Sequence, residues 1–424
     1  MRRLVRAASV LSLLGLLGVL VGPASVAMAD PDDKRPPQVV PAGFESTDAL
    51  QRDAERAENG PLYSAWLLES SRFVNVPFGS FMPDRDFISP STPKHDIQFI
   101  DFPVNFGVIK GPDGKLTLYD SGWKQLAYIF DWNTSCCWWD APDQIRSIGL
   151  NPADVTRIVI GHGHWDHAGQ LDSFPNATLF IQKEELKALD FFLNYPTDFN
   201  GGHIRAVNTV DPITGAQVGP PAQACARTPV CGYPPQTVAE IMGKVMGGKA
   251  EIVDGRHQIA PGLIIHPAFR GHTYGSQLLQ VNTARGQIVF GSDSYSSYEG
   301  IRDWNVANIQ QTDTVQQFLA YEKCYVLAAP VASAIGGAFN NCLAAHERLS
   351  YSNDYPITQN WWTITNGNCS RAAELTLAPG QRSLVPPNVT SGTTTVNGHA
   401  VAWRIDATTC KNTIAVVPPH TIQP

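Results

Sequence analysis

The stretch Gly161-His162-Gly163-His164-Trp165-Asp166-His167 constrains this chain more than any other. It follows an apolar run, Val155 to Ile160, that reads as a buried strand, so four ligand-type side chains crowd onto the loop at a strand end. On a tight loop, alternate residues can face one point, with two imidazoles gripping one ion while Asp166 and His167 turn to a second. Zinc takes His nitrogen at about 2.0–2.1 Å and carboxylate oxygen at about 2.0–2.2 Å, which makes such convergence geometrically demanding. A polar loop with scattered histidines is the bland alternative, and three of only 11 histidines grouped round one Asp speak against it. Further ligands are then expected at strand ends later in the chain. His272 precedes the apolar segment that starts at Gln277, Asp293 follows Gln287 to Phe290, and His346 follows Leu343-Ala344-Ala345.

Around the motif, short apolar segments separated by turn residues predict strands at Ala65–Leu68, Ile97–Ile109, Leu116–Tyr119, Thr178–Gln182, Leu263–His266, Gln277–Val281 and Gln287–Phe290. Gly111-Pro112-Asp113-Gly114 reads as a hairpin turn, because Pro presets φ and Gly accepts a positive φ. Helices are expected over Asp143–Leu150, Lys183–Leu193 and Thr314–Leu327, and a helix-like stretch over Asp48–Glu58. The Pro- and Gly-rich stretch from Tyr195 to Pro235 reads as a long loop or insertion. The tail after about Ser350 is rich in Thr, Val, Asn and Gly and reads as short β segments.

The N-terminus sets the compartment. Arg2, Arg3 and Arg6 precede an apolar run from Ala8 to Val21 and the small-residue sequence Ala27-Met28-Ala29, the order of a secretory signal peptide cleaved near Ala29. The apolar run is shorter than the roughly 20 residues a bilayer requires. The expected organisation is a signal peptide over 1–29, an N-terminal arm over 30–60, a main domain over 61–350 and a C-terminal extension over 351–424, in a secreted or periplasmic protein with no membrane partner once the signal is removed. Eight cysteines in an exported chain favour disulfides. Cys225 with Cys231 and Cys369 with Cys410 are guesses at the pairing, while adjacent Cys136 and Cys137 are expected to pair elsewhere or stay reduced. A formal net charge of −7 without a Lys/Arg run argues against nucleic acid, whose phosphates need a basic surface.

Phe106-Gly107-Val108-Ile109 leading to Leu118-Tyr119-Asp120-Ser121-Gly122, then Ile148-Gly149-Leu150-Asn151-Pro152-Ala153-Asp154-Val155, the histidine motif and Gln182-Lys183-Glu184-Glu185-Leu186 together resemble the metallo-β-lactamase superfamily, and within it the N-acyl homoserine lactonase group of quorum-quenching enzymes. The similarity covers about Leu62 to Ser350. It implies an α/β fold, an αββα four-layer sandwich, with two Zn2+ ions at one edge. By that resemblance His162, His164 and His272 hold the first ion, Asp166, His167 and His346 the second, and Asp293 bridges both. Gly161 departs from the pattern, standing where Ser or Thr is usual. The group's substrate-contacting Tyr falls at Ser296 here, which leaves Tyr295 as the catalytic candidate and Tyr298 as the weaker one.

Two divalent ions sharing Asp293 also share a water and lower its pKa from ~15.7 toward ~7, supplying hydroxide to attack an ester or lactone carbonyl. Asp166 then passes a proton to the departing alkoxide. The implied partner is a small-molecule lactone or ester, and a homodimer is compatible with the sequence. An organophosphate or aryl ester hydrolase on the same site is the nearest rival, and a non-catalytic metal-binding or interaction protein is the reading from another class. His203, His257, His266 and His399 lack a partnered spacing and are expected at the surface or satisfied in the core. Asp120 is expected to accept a hydrogen bond beside the metals rather than to bind one. Trp138, Trp139, Phe191, Phe192 and Tyr195 suit either an apolar substrate cleft or the core.

Overall fold

The computed structural model describes residues 49–50, 59–77, 99–123, 135–136, 139–193, 232–233, 235–295, 300–301, 312–328, 341–344, 372–382, 391–396, 399–405 and 412–416, with 52, 57 and 304 singly. The expected signal peptide, nearly all of the arm and most of the loop from Tyr195 to Pro235 lie outside them, as do Cys225, Cys231, Cys369 and Cys410.

Two sheets form the frame. The larger orders its strands as β13 (Ala372–Thr376), β1 (Ser64–Pro77), β2 (Phe99–Lys110), β3 (Leu116–Tyr119), β5 (Val155–Val159), β6 (Thr178–Gln182) and β7 (Ala250–Val253), with β4 (Ser135–Cys136) pairing β1 off this path. Its β3, β5, β6 and β7 run parallel to their neighbours, and the β1–β2–β3 portion is antiparallel. The second sheet runs β12 (Cys342–Ala344), β11 (Gly286–Ser292), β10 (Gln277–Thr283), β9 (Leu263–Pro267) and β8 (His257–Ala260). Five helices are used below: α1 (Ala141–Ser147), α2 (Trp165–Ala168), α3 (Lys183–Leu193), α4 (Pro235–Met246) and α5 (Thr314–Leu327).

Side chains alternate faces along a strand, and these strands are apolar on both faces because each sheet is covered on both sides. Leu67, Ile109, Tyr119 and Phe180 from the larger sheet meet Ile265, Leu279, Ile288 and Phe290 from the smaller in one apolar layer. The next residues along, Trp66, Leu68, Val108, Leu118 and Leu179, turn outward beneath α1, α3 and α4, which contribute Ile145, Leu189 and Ile241. On the far side, Leu278 and Val289 meet Ala320, Tyr321, Cys324 and Leu327 of α5. The layers are therefore helix, sheet, sheet, helix, the expected αββα sandwich. A disulfide joins Cys324 of α5 to Cys342 of β12.

The hairpin turn forms as expected, with Gly111 N donating to Lys115 O and Gly114 at φ +79°. One expectation needs correction. The boundary at 350 does not separate the tail from the main sheet, because β13 pairs antiparallel with β1, Trp66 opposite Glu374 and Leu68 opposite Ala372. The residues after it, β14 (Ser391–Val396), β15 (His399–Ile405) and β16 (Asn412–Val416), form their own three-stranded sheet. Residues 235–246, left unassigned by the sequence, form α4, whose Val238 and Ile241 pack on the larger sheet. Among the described residues no helix is long and apolar enough to cross a membrane.

Candidate metal centre

The strand β5 delivers the histidine loop to one edge of the sandwich, and backbone donors fix its course. Gly161 N donates to Asp120 Oδ1 at 2.6 Å, and Gly163 N donates to Glu185 Oε1 at 2.7 Å. The chain then enters α2, four residues long, with Trp165 packed edge-on against Trp123 at 4.2 Å between ring centroids. His272 comes from the β9–β10 loop, where Thr312 Oγ1 donates to its carbonyl oxygen. Asp293 opens a 3-10 turn directly after β11, at a point where Ser292 adopts φ +50°.

These loops bring six of the seven expected ligands together. His162, His164 and His272 offer donor atoms within 4.8 Å of one another, and so do His162, His167 and Asp293. His164 Nδ1 lies 3.0 Å from His272 Nε2, so those are the nitrogens that converge. Asp166 Oδ2 lies 3.2 Å from His167 Nε2 on the side of the second group. Asp293 Oδ2 lies 3.3 Å from His272 Nε2, 3.5 Å from His167 Nε2 and 4.0 Å from His162 Nε2, facing both groups at once. His346 and Tyr298 lie outside the described residues.

The donor set fits a divalent cation. Nε2 of the buried His162 has no hydrogen-bond partner among the described residues, and a nitrogen lone pair aimed into a ring of His and Asp is what a cation satisfies. Burial, then the neighbouring His167, His272 and His164, hold the His162 ring well below the usual imidazole range. Burial and His272 push His164 down to about 3. Both rings are thereby neutral, the form that coordinates metal. His167 differs: burial works against its charge, yet Asp166, Asp293 and Asp120 outweigh that and raise its pKa well above the usual value. Carboxylates gathered round one imidazole draw a cation, and a metal ion meets the same demand as a proton.

Asp120 takes the expected accessory place. It follows β3 directly, in the left-handed region at φ +62°, which Asp tolerates, and its Oδ2 accepts from His167 Nδ1 at 2.8 Å. His266 is a core residue with Nε2 2.9 Å from Gln280 Oε1, and His257 pairs with Glu251 at 2.7 Å, so neither joins the cluster. Phe191 is exposed and Trp139 half-buried, while the side chains of Trp138, Phe192, Tyr195, His203 and His399 lie outside the described residues.

Tyr295 is a correction. Its ring is fully buried with Tyr321 in the apolar layer under α5, and its hydroxyl donates to Val289 O at 3.2 Å. The 3-10 turn after Asp293 rotates it away from the imidazoles and into the core, so its contacts are packing contacts.

Three residues near the centre escaped the sequence. Glu185, wholly buried, accepts from Gly163 N, Gly275 N (2.8 Å), Tyr233 Oη (2.6 Å) and Thr273 Oγ1 (2.8 Å), which ties the histidine loop to the His272 loop. Tyr233 also lays its ring edge-on to His164 at 4.8 Å. Ser292 Oγ sits 3.1 Å from His162 Nδ1. A Glu in the first turn of a helix is favourable there for its charge alone, so nothing local marked Glu185 as a clamp.

Residues 100–293 match the family model described as the metallo-beta-lactamase superfamily. Among curated relatives, N-acyl homoserine lactonase AiiB of Agrobacterium fabrum is 29% identical over 126 residues, 26% of this chain and 44% of that protein. N-acyl homoserine lactonase AttM of Rhizobium radiobacter is 33% identical over 124 residues, 25% of this chain and 43% of that protein. The chain thus spans less than half the length of these relatives. Among solved structures, a quorum-quenching N-acyl homoserine lactone lactonase aligns at 15% identity and TM-score 0.44, over 68% of this chain and 93% of that one. AidC, a dizinc quorum-quenching lactonase, aligns at 17% identity and TM-score 0.43, over 68% and 89%. The segment that matches the metallo-beta-lactamase superfamily model begins within β2 and ends on Asp293, so it takes in all six of the convergent ligands.

Proposed function

We propose that the protein is an exported binuclear zinc hydrolase that opens lactone rings, with N-acyl homoserine lactones as the first class to try. The observation that carries the two-metal reading is the position of Asp293, whose one oxygen faces both groups of imidazoles. The curated relatives favour a lactone over other esters. The signal-like N-terminus and the Cys324–Cys342 disulfide favour an oxidising compartment.

His162, His164 and His272 hold one ion in this reading, and Asp166, His167 and His346 hold the other, with Asp293 between. When bound, the pair supplies Lewis-acid polarisation of a carbonyl and a water acidic enough to yield hydroxide near neutral pH. Asp120 and Glu185 keep the ligand loops in place while the substrate binds. Asp166, buried beside His167, would take up the proton that the attacking water gives up and deliver it to the ring oxygen as the C–O bond breaks, a step that free alkoxides need.

Metal analysis of the purified mature protein should give two equivalents of zinc, and Asp293→Ala should retain one. A panel of acyl homoserine lactones, simple lactones, aryl esters and phosphotriesters then tests the substrate. Metal-dependent opening of lactones is expected. If every lactone survives the fully metallated protein while a phosphotriester is cleaved, the substrate class is wrong; if no compound turns over, the non-catalytic reading gains.

A further inference from the structure

Gly161 and Ser292 compete for one space. Gly161 follows β5 of the larger sheet and Ser292 ends β11 of the smaller, and the two meet where the sheets come together at the metal edge. A Cβ added at Gly161 would lie 2.2 Å from Ser292 Cβ, 2.6 Å from its Oγ and 2.6 Å from the Tyr119 hydroxyl. Only one of the two positions can carry a side chain. Ser292 carries it, from a left-handed backbone at φ +50° that non-glycine residues adopt only where the surroundings impose it.

The hydroxyl so placed is buried between two ligand rings, 3.1 Å from His162 Nδ1 and 3.0 Å from His167 Nδ1. His162 belongs to both groups of converging donors and His167 to the second. For each ring to offer Nε2, its proton must sit on Nδ1 and find an acceptor. His167 has Asp120 Oδ2 at 2.8 Å. His162 has Ser292 Oγ.

We propose that Ser292 is a positioning residue for the metal pair: its oxygen accepts the Nδ1 proton of His162, lies against that of His167, and so fixes the tautomer and tilt of the ring common to both groups. A hydroxyl oxygen carries two lone pairs and can serve both rings. The inference rests on the binuclear reading above. It adds that the hydroxyl has to be in this space, whichever of the two strand ends supplies it.

The test measures the stepwise zinc affinities by chelator competition, alongside the thermal midpoint of the metal-free protein. Loss of an outer partner of a metal-bound His typically costs about 10–100-fold in affinity, so Ser292→Ala should weaken zinc by that factor while the metal-free midpoint holds. Gly161→Ser alone should lower the midpoint by overpacking. Combining Gly161→Ser with Ser292→Gly moves the hydroxyl to the facing strand end and should restore zinc affinity. A role in packing alone predicts that Ser292→Ala binds zinc as tightly as the parent, and that result overturns the proposal. If Ser292→Ala does not fold, the exchanged pair decides: parental affinity supports the role, and a tenfold loss overturns it. A parent that binds fewer than two zinc ions overturns the binuclear reading and this inference together, whereas two tight zinc ions in both the parent and Ser292→Ala overturn only the role of Ser292.

Discussion

The two halves of the metal centre rest on different buried carboxylates. Near His164 and His272, Glu185 gathers four neutral donors, two backbone N–H groups and two hydroxyls, with no hydrogen bond from an imidazole among the described residues. Beneath His167, Asp120 accepts from the ring itself, with Asp166 and Asp293 close on the other side. The first half is therefore shaped by a scaffold of neutral donors round a buried, neutral His164, while in the second the carboxylates Asp166, Asp293 and Asp120 raise the pKa of His167 well above the usual imidazole value. Geometry prepares the first half and electrostatics the second.

The largest effect should come from the charged half. On the proposed mechanism, Asp166→Asn keeps the local shape but removes the proton carrier, so turnover of a lactone, compared at equal metal content because Asp166 is also a proposed ligand, should fall by roughly 10² or more. Equal rates at equal metal content would remove Asp166 from the chemistry.

Next comes a paired measurement that can break the comparison. Glu185→Gln leaves an amide N–H₂ facing donors that had a carboxylate oxygen, at about 1–3 kcal/mol for each buried donor left unsatisfied, and it should loosen the ion held by His164 and His272. Asp120→Asn should weaken the ion at His167 by about 10–100-fold. Cobalt substitution followed by absorption spectroscopy distinguishes the two ions; loss of the same ion in both variants would show that the halves are not separately supported.

His266 sharpens the electrostatic side. Like His167 it is buried, but Arg256 and Lys323 are its charged neighbours instead of carboxylates, and burial first, then Arg256, lowers its pKa to about 3. The unfolded chain binds a proton there near 6.5 and the folded one does not. Its contribution to stability is therefore complete above that pH and is lost as pH falls toward 3, at up to about 1.4 kcal/mol per pH unit. Denaturant titrations of the parent and His266→Gln between pH 7 and pH 4, conditions in which about one proton is at issue, should show a shallower slope in the variant.

Smallest of all is Tyr295→Phe, outside both halves. Losing one buried hydrogen bond to Val289 O should cost about 0.5–1.5 kcal/mol of stability and leave turnover unchanged. A large fall in kcat at constant metal content would return Tyr295 to the active site.

Much of this architecture was legible locally. Short apolar segments between turn residues marked β3 and β6 to the residue, and α3 and α5 also fall on the expected bounds, because buried strands and packed helices carry their apolar residues locally. The histidine motif announced its ligands because they sit within one loop. The helix α4 was lost behind a Pro- and Gly-rich stretch that masked its start, and β13 was lost because its partner β1 is some three hundred residues earlier, with nothing in a Thr-rich tail to name it. Tyr295 was misplaced because sequence offset from Asp293 says nothing of the turn that intervenes.

The sequence by itself determined the chemistry available: which nitrogens and carboxylates the chain can offer, and that strands would carry them to loop ends. Tertiary structure alone decided which carboxylate clamps, which bridges and which side chain fills a shared space. Glu185 draws its donors from residues 163, 233, 273 and 275, and Ser292 fits only because residue 161 across the sheets lacks a Cβ. Hydrogen bonds and excluded volume act over a few ångströms, so their partners are set by where the sandwich folds distant segments together and not by spacing along the chain.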